Sequence, residues 1–258
     1  MSSHIYYQKE GAIATIIIDR PEKKNCFSIA MYTELHRILE ELEEDLSIKV
    51  LIVRGVDETA FSAGADITEF LDARFDTDKA KNYNDIALNA IEKLYRFPRP
   101  TIALIRKIAI GGGLELANSC DFRFATSNTR VGIPSANIGI VYNLTSTKRL
   151  YNLIGPSKTK EMVYTAKLFS AEEAKEFGLL DYVHEEEDIV KEVLELANLI
   201  ISKSSVANAG IKKVIQSIVD GENEESEEIA SMILESFSSD DYKEGIDAFL
   251  NKRKVNFK

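Results

Sequence analysis

Tryptophan is absent from this 258-residue chain, cysteine occurs twice, histidine three times and proline five times. The two cysteines, Cys26 and Cys120, lie too far apart in sequence to imply a disulfide framework, so reduced thiols are expected. His4, His36 and His184 do not sit at metal-ligand spacing with other candidate ligands, and none accompanies a serine in a peptidase-like motif. A resident metal and Ser-His chemistry are therefore not expected. No apolar run reaches the ~20 residues of a membrane span. No basic segment followed by an apolar core opens the chain, and a cytoplasmic location without a secretory leader is expected. Positive charge is also short: 32 Lys and Arg stand against 42 Asp and Glu, for a net charge of −10. That balance argues against nucleic-acid binding, which needs basic surface to displace counterions. Much of the acid falls in Glu40–Asp45, Glu185–Asp188 and Glu222–Glu228, runs that read as solvated helix faces.

What is present is an ample core. The chain is 45% hydrophobic, and at this length roughly 75% of the unfolded surface can be buried. Ala12–Ile18, Val50–Val53, Ile102–Ile105, Phe122–Ala125 and Arg130–Ile133 read as short buried strands. Ile29–Glu44 carries Met31, Leu35, Ile38, Leu39 and Leu42 at helical spacing. Strands separated by helices predict an α/β fold with parallel pairing. No proline follows Pro156, and helices are expected over 189–201, 207–219, 224–237 and 241–251. Residues 1–190 are expected to form the core and 191–258 a helical region that packs on a neighbouring subunit. The stretch Asp72–Asn84 is the least apolar and is expected to be a mobile loop.

Two segments rich in small residues stand out: Ala60-Phe61-Ser62-Ala63-Gly64-Ala65-Asp66-Ile67 and Ile110-Gly111-Gly112-Gly113-Leu114-Glu115-Leu116. Each follows a strand and leads into a helical pattern. Small residues admit a ligand close to the backbone, and a helix N-terminus offers unpaired N–H groups. Two such points facing one atom would form an oxyanion hole. A glycine triplet is more often a tight turn or close packing than a ligand site, and Asp66 followed by Glu69 is more often a helix cap than a catalytic acid. Glu115 in apolar surroundings is either structurally paired or an acid/base whose pKa is raised by burial.

Both segments closely resemble the paired signatures of the crotonase superfamily, the enoyl-CoA hydratase/isomerase family. The resemblance extends to Ile16–Asn25, Lys148-Arg149-Leu150, Ala171–Leu180 and the ending Lys243–Lys254. It implies a spiral of ββα units with a helical C-terminal trimerisation region, assembled as a homotrimer or homohexamer. It implies an acyl-CoA thioester as partner, with CoA part of the substrate and no separate cofactor. Ala63 and Gly112 match the oxyanion-hole positions, and Ala63, Gly64, Ala65, Asp66 and Ile67 match a stretch lining the site. Glu115 matches the glutamate that activates water. Arg20, Lys23 and Lys24 are the candidates for the CoA phosphates, with Lys254 and Lys258 behind them.

The match breaks in one region. Hydratases of the family carry a second glutamate directly after the proline of a Gly-X-Pro segment; here Gly132-Ile133-Pro134 is followed by Ser135. The next loop, usually rich in glycine, reads Tyr142-Asn143-Leu144-Thr145-Ser146. Ser135, Tyr142 and Asn143 are thus expected to contact substrate in an altered pocket. A serine hydroxyl is no base near neutral pH without a helper. The expectation is an enoyl-CoA hydratase/isomerase-type enzyme working with Glu115 alone. The alternatives are another crotonase chemistry (malonyl-type decarboxylation or thioester hydrolysis) and acyl-CoA binding without turnover.

Overall fold

A computed structural model describes residues 4–66, 68, 69 and 77–257. Its main sheet comprises β1 (Ile5–Glu10), β2 (Ile13–Ile18), β3 (Val50–Gly55), β4 (Thr101–Ile105), β6 (Phe122–Thr126) and β9 (Tyr182–His184), hydrogen-bonded in that order. β1 and β2 form an antiparallel hairpin, and every later pairing in this sheet is parallel. A second sheet joins β5 (Ile108–Ile110), β7 (Arg130–Gly132) and β8 (Phe169–Ser170).

Residues of the main sheet alternate between two apolar faces, as the period of two requires. Leu51, Val53, Ala103 and Ile105 join one core with α1 (Ile29–Glu44) and α2 (Thr77–Tyr95), through Leu35, Leu39, Ile91 and Leu94. Val50, Ile52, Ile102, Leu104 and Phe124 face the other way, onto Ile189, Val193 and Ala197 of α6 (Ile189–Ile201). Covering both faces explains why the central strands read as continuous apolar runs rather than as alternation.

α3 (Gly112–Asn118), α4 (Leu144–Thr165) and α5 (Ala171–Glu176) join the same core as α1 and α2, through Leu114, Leu150 and Ala174. Gly155 breaks α4 with a φ of 70° just before Pro156. Beyond α6 come α7 (Ser205–Asp220), α8 (Glu227–Ser236) and α9 (Asp240–Leu250). They fall within about three residues of the expected spans 207–219, 224–237 and 241–251, and Ser204, Ser226 and Ser239 cap their N-termini.

Two expectations are corrected. Residues 77–84 open the helix α2 rather than a loop; Tyr83, Ala90, Ile91 and Leu94 are buried, and this stripe at helical spacing outweighs the polar composition of the first turns. Residues 72–76, the rest of that stretch, lie outside the described residues. The expected border at residues 190 and 191 cuts the start of α6, which belongs to the core because it covers a sheet face.

The N-terminus of α3 packs hard against the segment around Ser62. A Cβ added at Gly113 would stand 2.3 Å from the Ser62 carbonyl oxygen. Both partners are backbone, so neither can yield cheaply. Gly113→Ala is expected to destabilise the fold by about 2–3 kcal/mol, read as a fall in Cm without a change in m; an unchanged Cm would refute this packing argument.

Candidate active site

The site is built on three chain segments laid side by side. The first is the loop 20–27 between β2 and α1. There Lys24 and Asn25 take left-handed φ values of 49° and 57°, and Asn25 is fully buried. Its side-chain amide donates to the Ala60 carbonyl at 2.7 Å, and its side-chain oxygen accepts the Arg20 N–H at 2.9 Å. The Ser62 hydroxyl donates to the Asn25 carbonyl at 2.8 Å and accepts the Gly64 N–H at 3.1 Å. The second segment, 60–66, bonds in turn to the third: Ser62 N–H donates to Ile108, and Ile110 N–H donates back to Ser62.

These bonds correct the oxyanion assignment. The Ala63 N–H is donated to the Lys24 carbonyl at 2.9 Å and is not free to bind a ligand. The Phe27 N–H donates to Gly64 and the Asp66 N–H donates to Phe27, both at 2.8 Å. In such a parallel bridge the intervening residue, Ala65, turns its own N–H to the opposite side. Among the described residues no acceptor takes the Ala65 N–H. In a regular strand the Ala63 N–H and the Gly64 carbonyl would point to opposite sides, yet both bond to the same loop. Gly64 makes this possible with a φ of 97°. A Cβ there would stand 2.7 Å from the Ile110 carbonyl oxygen.

Gly112 is the first residue of α3, where an N–H has no partner within the helix. A Cβ built on Gly112 would lie 3.6 Å from the Ala65 nitrogen, and one built on Gly64 would lie 3.2 Å from the Gly112 nitrogen. Ala65 and Gly112 thus bring two N–H groups to one wall of the same cavity. Spacing alone could not separate Ala63 from Ala65, because both lie in one small-residue run; the partner of each amide decides it.

The cavity holds about 220 Å³. Ala63, Gly64, Ala65 and Gly112 line it, together with Glu115, Ser135, Tyr142 and Asn143. Apolar surface comes from Ala87, Ile91, Ile133, Ile140 and Val141, with Tyr32 and Tyr83 adding aromatic rings. These latter residues were not singled out from sequence; the stripe of α2 is the signal that could have found Tyr83 and Ile91. Ile67 lies outside the described residues.

Glu115 sits one turn into α3 and is 7% exposed. The Tyr142 hydroxyl donates to Oε2 at 3.2 Å, while Oε1 is buried with no partner among the described residues. Burial pushes its pKa up to about 7, against the lowering pull of Tyr142, Arg149 and Asn143. Arg149 stands behind it, buried, ion-paired with Glu92 and stacked 4.3 Å from the Tyr95 ring centre. Ser135 is the second residue of the 3₁₀ turn Pro134–Ile138, and its Oγ is likewise buried and unpartnered among the described residues. The Asn143 side chain caps α4, accepting the Ser146 N–H at 2.8 Å.

Asp66 and two of the proposed phosphate binders are placed differently from expectation. Asp66 is 4% exposed and is absent from the cavity wall. Its carboxylate meets Arg20 at 2.8 Å and Lys23 at 3.0 Å, and accepts the Thr68 hydroxyl at 2.7 Å. Burial raises its pKa, but the bonds to Thr68, Lys23 and Arg20 outweigh that and hold it well below the usual carboxylate range. Arg20 and Lys23 are therefore committed to Asp66 rather than held ready for a phosphate. Lys24 is exposed and has no ion-pair partner among the described residues. Lys254 is exposed near the C-terminus, and Lys258 lies outside the described residues.

Known proteins carry the same architecture. The family model for enoyl-CoA hydratase/isomerase matches residues 8–258. A short-chain-enoyl-CoA hydratase of Clostridium acetobutylicum is 32% identical, with 98% of this chain and 97% of that protein covered. A crotonyl-CoA hydratase of Syntrophomonas wolfei is also 32% identical, with coverage of 98% and 97%. The crystal structure of an enoyl-CoA hydratase/carnithine racemase from Magnetospirillum magneticum superposes with a TM-score of 0.95 at 32% identity, covering 100% of this chain and 96% of that one. The chain belongs to the enoyl-CoA hydratase/isomerase family and has the crotonase fold. It is an enzyme of the enoyl-CoA hydratase/isomerase type, whose substrates are acyl-CoA thioesters.

The raised pKa of Glu115 makes a stability prediction. A carboxyl whose folded pKa lies above its unfolded value favours the fold while protonated, and that contribution is lost as pH rises from about 4.5 to about 7. Glu115→Gln is therefore expected to be more stable than the parent at pH 8, by up to about 3 kcal/mol, and no more stable at pH 4. Equal differences at the two pH values, in urea unfolding, would contradict a buried, titrating Glu115.

Proposed function

We propose that the protein forms a thioester enolate, with the Ala65 and Gly112 N–H groups on the thioester oxygen and Glu115 moving the proton. The observation that carries this reading is the cavity wall itself: two N–H groups on one side and, among the described residues, a single carboxylate. Polarising the carbonyl acidifies the adjacent carbon. A single base suits a double-bond shift, in which Glu115 takes a proton from the α carbon of a 3-enoyl-CoA and returns it to the γ carbon. The enolate electrons move along the chain, and no other reactant is consumed. Hydration asks for more, since water must lose a proton while the α carbon gains one. With Ser135 in place of the second carboxylate, hydration becomes the slower branch. CoA enters as part of the substrate and no separate cofactor is used. Lys24 is the candidate contact for its phosphates.

A second reading rests on Ser135. Decarboxylation of a malonyl-type CoA leaves the same enolate without any base, as carbon dioxide departs, and then needs only an acid at the α carbon. A second glutamate would repel the substrate's carboxylate, whereas the unpaired Ser135 hydroxyl can donate to it. Glu115, half protonated near neutral pH, can supply the proton.

The chain is further proposed to act as a homotrimer or homohexamer in the cytoplasm. Ile211, Ile215 and Ile218 of α7, Leu234 of α8, and Phe249 and Leu250 of α9 are exposed, a burden of apolar surface that suits association. Among the described residues no helix is long and apolar enough to cross a membrane, and both cysteines are free.

Short 2-enoyl-, 3-enoyl- and malonyl-type CoA thioesters should separate the readings. Isomerisation of the 3-enoyl ester, with kcat/KM rising as pH passes upward through about 7, is the expected result. Release of carbon dioxide with kcat/KM falling over the same range would replace it with the second reading. Silence on all three esters would overturn both. Ser135→Glu is expected to raise hydration of the 2-enoyl ester by about tenfold to a hundredfold; no gain would mean that the pocket no longer holds a water where hydration needs it. Tyr142→Phe removes a bond to the carboxylate and should move the kcat/KM inflection upward; an inflection that stays or falls would detach Tyr142 from the acid/base role.

A further inference from the structure

The geometry points to Asp66 as a positioning residue: paired with Arg20, it holds the Ala65 N–H in the direction the thioester oxygen requires. The inference rests on the oxyanion-hole reading above. Ala65 is fixed by its neighbours alone, because its own small side chain can anchor nothing. On one side Gly64 accepts the Phe27 N–H, and on the other Asp66 donates its N–H to Phe27. Those bonds set the orientation of the Ala65 peptide only while the chain after it stays against the loop 20–27.

The Asp66 carboxylate is what keeps it there. One oxygen accepts from the Thr68 N–H and hydroxyl, at 3.0 and 2.7 Å. The other meets Arg20 at 2.8 Å, and the Arg20 guanidinium also donates to the Cys26 carbonyl at 3.1 Å. The pair therefore ties the segment carrying Ala65 to the backbone beside Phe27. Lys23, more exposed, adds a second contact to the same oxygen at 3.0 Å. The pair is nearly sealed from solvent, with side-chain exposures of 14% and 5%, so salt and water screen it little. An Asp66 carboxylate that bound substrate would have to leave these partners and turn to a cavity it does not line.

The test uses the full-length protein and separates pointing from binding. A conjugated, chromophoric dienoyl-CoA absorbs further to the red when its carbonyl is polarised, so the band of the bound ester reports the donors directly. Asp66→Asn keeps size and some hydrogen bonding but loses the charge. It is expected to bind the dienoyl-CoA within about threefold of the parent, to lose at least half of the band shift, and to lower kcat about 10- to 100-fold, less than deleting a donor outright. Arg20→Gln should change the same two readouts in the same direction, and serves alone if Asp66→Asn does not fold. Both act through one contact, so the double variant should be no worse than the worse single. A full band shift with parent kcat in Asp66→Asn would overturn the proposal. So would a collapse of affinity with the shift of the bound ester intact, which would make the cluster a CoA contact. Multiplying effects in the double variant would also overturn it. A parent protein whose bound ester shows no shift removes the oxyanion reading itself, before any variant is compared.

Discussion

The site hangs on a two-bond backbone bridge between Phe27 and the residues either side of Ala65. It joins the loop after β2 to the segment after β3, neither of which could hold its shape alone. The loop reaches the bridge through left-handed residues at 24 and 25, a conformation asparagine tolerates better than most side chains. Buried Asn25 then spends its polar atoms on backbone that would otherwise be unsatisfied, at Ala60 and Arg20. Because the backbone groups of the segment are consumed in this way, the N–H that remains unbonded is specified by elimination. A polar group left over in an otherwise satisfied, partly buried loop is costly, and a ligand oxygen can repay that cost.

The same economy explains Glu115. Its place in the first turn of α3 would by itself favour the ionised form, since the positive end of the helix dipole lies close. Arg149 pulls the same way, but its charge is largely answered by Glu92. Desolvation wins, and the carboxyl is poised near neutrality with one oxygen unpaired. A carboxyl kept solely for stability would be fully bonded or replaced by an apolar side chain. Glu115 lines the cavity that Ala65 and Gly112 also line, so the destabilised group and the unbonded amides serve one volume.

Much of the fold was legible in the sequence because burial leaves periodic traces. Met31, Leu35, Leu39 and Leu42 marked α1 to its ends, and the runs at Val50 and Ile102 marked strands covered on both faces. α2 was lost because its polar turns dominate the composition while its buried stripe is narrow. β5, β8 and β9 are two or three residues long, which leaves little for a period to show. In the site, the family resemblance pointed to two segments and to Glu115, which the fold brings to one cavity, but it named an amide, that of Ala63, which is already bonded to Lys24. A one-dimensional motif records small residues, not which N–H is already bonded. The charges of Arg20, Lys23 and Asp66 were visible too; that they cancel one another is a fact of three dimensions.

The two halves of the chemistry differ in how freely they can change. Gly112 and Glu115 share a single helical turn, so the amide and the backbone that carries the carboxyl keep a fixed separation. Gly113 packs that turn against Ser62, and Ser62 in turn holds Gly64. A substitution anywhere along that chain moves both halves at once. The opposite wall is looser: Ser135 lies in a short 3₁₀ turn, and Tyr142 and Asn143 lie at the start of α4. Residues there line the cavity without carrying the two amides. The departures from the hydratase pattern fall on this wall. A protein that kept carbonyl polarisation while exchanging one proton-transfer scheme for another would have to change there first, because only there does a new side chain leave the amides where they are.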